Sequence, residues 1–147
     1  MYDSILVATD GSEAADAAVS HAISLAASLD ADVTAVAVLE TRTGYDNAIV
    51  DPETVDEQRR ERARSWLEDA EGLASEAGVA LETRIMSGVP HEEILALAAD
   101  RDVDVVVVGS QGRSSFKGAL LGSTVDRVVR LADRPVTVVD AATEQDD

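Results

Sequence analysis

Asp102-Val103-Asp104-Val105-Val106-Val107-Val108-Gly109-Ser110-Gln111-Gly112 is the stretch on which the fold turns. Its β-branched run, broken only by Asp104, suits a strand covered on both faces, because a half-exposed strand would alternate polar and apolar positions. Val103 to Val108 is therefore expected to be the central strand of a mostly parallel sheet. The run empties into Gly109 and Gly112, and after nine intervening residues the segment Gly122-Ser123-Thr124 opens a helical stretch to about Ala132. A glycine-bearing turn lets backbone N–H groups approach an anion, and a helix start adds unpaired donors and the positive end of its dipole. One dipole contribution is only about 0.3–1 kcal/mol for an exposed anion, so holding a nucleotide requires several donors to converge.

Outward from this segment, apolar runs alternate with longer amphipathic stretches, the pattern of βα units. The remaining strands are expected at Ser4 to Ala8, Val33 to Leu39, Leu81 to Met86 and Pro135 to Val139. Gly11-Ser12 leads into a helix with Ala15, Val19, Ala22, Ile23 and Ala26 at helical spacing. A loop from Thr41 to Val50 precedes Asp51-Pro52, an N-cap and first-turn proline for a long helix ending near Ala77 at Gly78. Ser87-Gly88-Val89-Pro90 starts a shorter helix to about Ala99. The fold class is α/β, a single doubly wound domain over residues 1–140 with a loose acidic tail at 141–147. In such a sheet the ligand crevice lies beyond the carboxyl ends of the strands where the winding reverses. That places Asp10, after the first strand, beside the glycine loop after Val108.

Composition narrows the function classes. At 147 residues and 46% hydrophobic content the chain is long enough for one ordinary core. Cysteine is absent, which removes disulfides, thiolate nucleophiles and thiolate metal sites. No run reaches the roughly 18 apolar residues of a membrane span, and no basic n-region precedes the first strand, so a cytoplasmic location is expected. The 29 acidic residues against 12 basic ones give a formal charge of −17, and Lys117 is the single lysine. A surface of that sign disfavours nucleic acid and anionic membranes as partners. The acids are spread over every expected helix, which points to a halophilic setting in which molar salt, with a Debye length of about 3 Å, screens self-repulsion. The fold should then loosen at low ionic strength.

The spacing Gly109-x-x-Gly112-x9-Gly122-Ser123, together with Asp10, resembles the ATP-binding branch of the universal stress protein family. The likeness extends over Ile5-Leu6-Val7-Ala8-Thr9-Asp10-Gly11-Ser12, Asp104 to Ser110 and Arg134-Pro135-Val136-Thr137-Val138-Val139. The resemblance implies five parallel strands in the order 3-2-1-4-5 and a homodimer formed through the last strand, Val136 to Val139. It also implies ATP as the bound cofactor, accompanied by Mg²⁺ held mainly by phosphate oxygens and water. Residue by residue, it places Asp10 at the ribose and adenine and Val38 against the base. Ala8 stands where many ATP-binding members have proline. Gly109, Gly112, Gly122, Ser123 and Thr124 fall around the ribose and triphosphate, with Arg113 as a nearby charge and Val108 and Val125 as apolar or backbone contacts.

Local readings of the same residues stay open beside these. Ser123-Thr124-Val125-Asp126 also fits a capping box, Gly109 and Gly112 fit turn glycines with positive φ, and Asp10-Gly11 fits an Asx turn. His21 and His91 stand on separate helices without partner ligands, so no protein metal site is expected. Trp66 is expected as a core anchor on the long helix. Neither Gly-x-x-x-x-Gly-Lys-Ser/Thr nor Gly-x-Gly-x-x-Gly occurs, and the motif region offers no evident general base. The expected function is an adenine-nucleotide-binding stress-response sensor or regulator with little or no turnover. Two rivals remain: a nucleotide-free interaction module of the same fold, and a slow phosphotransferase acting on Ser114, Ser115, Ser123 or Thr124.

Overall fold

The computed structural model describes residues 2–40, 52–111 and 121–141, with 52–55 as backbone only. Along the chain run β1 (Ser4–Ala8), α1 (Glu13–Leu29), β2 (Asp32–Glu40), α2 (Pro52–Ala77) and β3 (Leu81–Gly88). Then follow α3 (Pro90–Arg101), β4 (Val105–Gly109), α4 (Ser123–Leu131) and β5 (Val136–Val139). The five strands form one all-parallel sheet in the order β3-β2-β1-β4-β5, as expected.

Strand period two divides the core into two layers. Ile5 and Val7 of β1, Val33, Ala35, Ala37 and Leu39 of β2, and Val105 and Val107 of β4 face α1 and α2. Leu6, Val36, Val106 and Val108 face α3 and α4 on the other side. All five residues of β4 are buried, which is why its sequence shows no alternation. Helix α1 approaches the sheet through an alanine-rich face of Ala14, Ala15, Ala18, Ala22 and Ala26. The small side chains let its axis lie close, which matters at the site.

The start of the fourth strand differs from the sequence reading for a tertiary reason. The fourth strand begins at Val105, not Val103, because Val103 closes α3. Asp102 adopts the left-handed conformation (φ 50°), and the Val103 N–H returns to the Ala98 carbonyl at 3.1 Å. Asp104 is then free to accept the Asp3 and Ser4 N–H groups at 2.7 and 3.0 Å, tying the entrance of β4 to that of β1. Arg134 completes this corner by donating to the Ala98 and Val103 carbonyls at 3.0 and 2.8 Å. Gly78 does end α2, with φ +71°. The Thr41 to Val50 loop, the Asp51 cap and the tail from 142 lie outside the described residues.

Candidate functional site

The winding direction reverses between β1 and β4, and at their carboxyl ends two loops meet. After β1 the chain turns sharply. The Asp10 Oδ1 accepts the Ser12 N–H at 3.0 Å, and Thr9 Oγ1 accepts the Gly11 N–H at 3.2 Å. The Asx turn is thus present, and Asp10 also lines a cavity, so the local and the functional readings of this residue are compatible. Gly11 takes φ +80°, and a Cβ there would come within 2.3 Å of the Trp66 indole. Trp66 is accordingly half-buried at the rim of the core, bracing this turn. Ser12 caps α1 by accepting the Ala15 N–H at 3.1 Å, and its hydroxyl donates to the Gln111 carbonyl at 3.4 Å. The loop after β1 is therefore bonded directly to the loop after β4.

Beyond β4 the backbone is committed in a way the glycine pattern did not suggest. Ser110 donates its N–H to the Val139 carbonyl at 2.8 Å, and its own carbonyl accepts the Gly122 N–H at 2.8 Å. Gly109 does not take positive φ. It is the last residue of β4, and a Cβ on it would meet the Ala14 carbonyl carbon at 2.5 Å and the Ala15 nitrogen at 2.8 Å. Glycine is needed there for the close approach of α1, which corrects the turn-glycine reading. The capping-box reading is corrected too. Gly122 is the N-cap of α4, without a side-chain cap, and Ser123 is already helical. Asp126 points along the helix and receives the Arg130 Nε at 3.0 and 3.1 Å. It therefore does not reach back toward the helix start.

The donors aimed at the crevice are thus those of the first turn of α4. The Ser123, Thr124 and Val125 N–H groups precede the first intrahelical bond, in which the Asp126 N–H reaches the Gly122 carbonyl at 2.9 Å. They carry the positive end of the helix dipole. The cavity in front of them is lined by Ala8, Asp10, Val38, Val108, Gly109, Gly122, Ser123, Thr124 and Val125, nine of the eleven site residues read from the sequence. Gly112 and Arg113 lie outside the described residues.

Thr9, Ala15, Glu40, Pro90, Ile94 and Gln111 also line the cavity and were missed. Glu40 follows Val38 by two positions, so strand periodicity would have found it. Pro90 and Ile94 arrive on α3, whose placement over the sheet leaves no local trace in sequence. The cavity volume is about 160 Å³. That is smaller than the roughly 300–1,000 Å³ of a site for a drug-sized ligand, so a large ligand would extend through the mouth.

Its electrostatics are mixed. Apolar walls (Ala8, Val38, Ile94, Val108, Val125) suit a flat ring, whereas Asp10 and Glu40 are carboxylates, and no lysine, arginine or histidine is among the described lining residues. Behind Asp10, burial raises the carboxyl pKa of Asp16 above the ordinary value, reinforced by the charges of Asp69, Asp10 and Glu13. Among the described residues no group of three histidine, cysteine or acidic side chains could hold a metal ion. No helix among them is long and apolar enough to cross a membrane.

An all-parallel 3-2-1-4-5 sheet with its crevice at the β1/β4 reversal defines a small doubly wound α/β protein with an open cavity at the strand carboxyl ends. The model of the universal stress protein family matches residues 1–140, and the chain belongs to that family. It is 34% identical over 140 residues to universal stress protein MJ0531 of Methanocaldococcus jannaschii, spanning 95% of this chain and 82% of that protein. The solved structure of MJ0577 from the same organism superposes with a TM-score of 0.87 at 29% identity, covering 98% of this chain and 99% of that one. A universal stress protein solved in complex with cAMP superposes with a TM-score of 0.74 at 27% identity, covering 96% and 99%.

Proposed function

We propose that this crevice binds an adenine nucleotide, in the first place ATP, and that the chain works as a dimeric cytoplasmic sensor or regulator with little or no turnover. The observation that carries the reading is the convergence of the Asp10 turn and the uncapped start of α4 on one apolar-walled cavity. The base would lie among Ala8, Val38, Val108 and Val125, with Asp10 toward the ribose. The phosphates would pass out of the mouth over Gly122-Ser123-Thr124, where the free helix donors stand, with Gly109 and Gly112 beside them and Arg113 as a cation. Mg²⁺ would come with ATP, bound by phosphate oxygens and water, because the described lining offers two carboxylates and the described residues hold no ready-made cage. A relative solved in complex with cAMP supports an adenine nucleotide as the class of ligand.

The dimer is proposed through the free edge of β5. Val138 is 38% exposed there, and Val129 (43%) and Leu131 (62%) stand on the neighbouring α4. The charge of −17 fits work in concentrated salt. Low turnover is inferred from a described lining without histidine, cysteine or lysine to activate a nucleophile.

The deciding experiment is mass spectrometry of small molecules released on denaturing freshly purified protein, paired with calorimetry of ATP in high salt. An adenine nucleotide at near-stoichiometric yield is expected. No released nucleotide and no heat at millimolar ATP would refute the reading in favour of a nucleotide-free module. A rapid ATPase rate abolished by Gly122→Glu would refute the low-turnover part.

A further inference from the structure

Thr9 is buried, yet it lines two cavities: the crevice and a groove of about 510 Å³ between α1 and α2. It is a shared wall. Next to it, Asp10 lines the crevice, whereas Trp66 of α2, packed against Gly11, lines the groove. The bonds that shape this turn are local. Asp10 Oδ1 accepts the Ser12 N–H and Thr9 Oγ1 accepts the Gly11 N–H, so the carboxylate goes wherever the turn goes. Gly11, at φ +80°, is the most permissive point of that turn. The atoms nearest to an added Cβ there are all indole atoms: Cε2 at 2.3 Å, Nε1 at 2.4 Å and Cζ2 at 2.7 Å. The indole is in turn placed by α2, whose Ala63, Leu67 and Ala70 are buried in the core on either side of it.

From this contact we propose that Trp66 is a positioning residue of the nucleotide site: packed on Gly11 from the groove side, the indole holds the turn at the depth where Asp10 meets the ribose. The inference rests on the adenine-nucleotide reading above, with Asp10 toward the ribose. Trp66 is not among the crevice lining residues and acts through Gly11. Without the indole, its space would join the open groove, and the turn could move outward without a clash, withdrawing the carboxylate. The apolar walls Ala8, Val38, Val108 and Val125 belong to strands and to α4, so they would stay in place. Loss of Trp66 should therefore weaken recognition of the ribose and spare recognition of the base.

The test compares ATP with 2′,3′-dideoxy-ATP, which offers Asp10 no ribose hydroxyl, by calorimetry in molar KCl. Trp66→Leu should weaken ATP about tenfold, the size of one charge-assisted hydrogen bond, and the dideoxy analogue by no more than about twofold. Trp66→Phe keeps a ring in the core without the full reach of the indole, and should show the same split at about threefold. It carries the test should a melt show Trp66→Leu to be unfolded. In an Asp10→Ala background, adding Trp66→Leu should change ATP binding by less than about twofold, because the two residues act as one unit. Ala74→Gly loosens α2 at a buried position outside the groove lining and should show no split. Equal losses of both ligands in the Trp66 variants, additive losses in the double variant, a split in Ala74→Gly, or wild-type ATP binding by Asp10→Ala each overturns the positioning role while leaving nucleotide binding in place. A wild-type protein that binds neither ligand overturns both.

Discussion

Replacing Gly109 by alanine is the sharpest test of how this site is constructed. A Cβ at that position would stand 2.5 Å from the Ala14 carbonyl carbon, 2.7 Å from its oxygen and 2.8 Å from the Ala15 nitrogen. All three are backbone atoms in the first turn of α1, so no side-chain rotation relieves the contact. The helix would have to retreat by about 1 Å to restore van der Waals separation of roughly 3.5 Å. Overpacking of this kind costs about 1–3 kcal/mol, and the upper end applies here because α1 is also bound to the sheet through the buried Ala15, Ala18 and Ala22. For a chain of this length that lowers Tm by roughly 6–12 °C.

The retreat would also pull Ser12, the cap of α1, away from the Gln111 carbonyl and open the crevice. Urea unfolding and thermal melts in molar KCl measure the loss. Gly72→Ala is the matched control, since that glycine lies within α2 with nothing within 4 Å of an added methyl group. It should gain about 0.5–1 kcal/mol from helix propensity. A Gly109→Ala protein within 0.5 kcal/mol of wild type, a margin ordinary for surface substitutions, would refute the close-approach account.

Three further outcomes are expected. Gly11→Ala combines positive φ with a clash against Trp66, and should destabilise by about 2 kcal/mol in denaturant titrations; a smaller loss in a Trp66→Ala background would show that the indole carries part of it. The two backbone N–H donors of Asp3 and Ser4 hold the Asp104 carboxyl below its ordinary value. Its contribution is therefore present above the unfolded pKa and lost as pH falls through the folded one, so the stability gap between wild type and Asp104→Asn should close under acid; a gap constant down to pH 2 would contradict it. Asp16 is shifted the other way, by burial first and then by Asp69, Asp10 and Glu13. Its ionised form is disfavoured in the fold, so Asp16→Asn should stabilise the protein at neutral pH, more in dilute buffer than in molar salt, and melts at the two salt concentrations check this.

Much of this architecture was legible because strand burial and helix amphipathicity leave different periods in the sequence. The valine run of β4 and the Ala15-Val19-Ala22-Ile23-Ala26 series of α1 each have one physical explanation. What stayed illegible depends on partners distant in sequence. Val103 reads as strand because it is β-branched, but its N–H is taken by α3, and Asp104 is fixed by Asp3 and Ser4, a hundred residues away. Gly109 reads as a turn residue, and only the position of α1 shows that it is a packing residue. Ser123 and Asp126 have the spacing of a capping box, yet the Ser110 to Gly122 bond sets the helix start one residue earlier and Arg130 takes the aspartate. Glu40 and Pro90 enter the cavity because β2 ends and α3 begins at the same end of the sheet, a fact of topology, not of motif.

The Ser110 carbonyl and the Gly122 N–H, joined at 2.8 Å, have a consequence for engineering. They fasten the two ends of the segment between them at its neck, so the length of chain in between is uncoupled from the register of the sheet. For a flexible insert, each doubling of length adds only about 0.6 kcal/mol of closure entropy. A reporter peptide or a fluorescent amino acid could be spliced between Gln111 and Leu121 at small cost to folding. Its points of attachment adjoin Gln111 and Gly122, which line the crevice, so the reporter would respond to whatever enters.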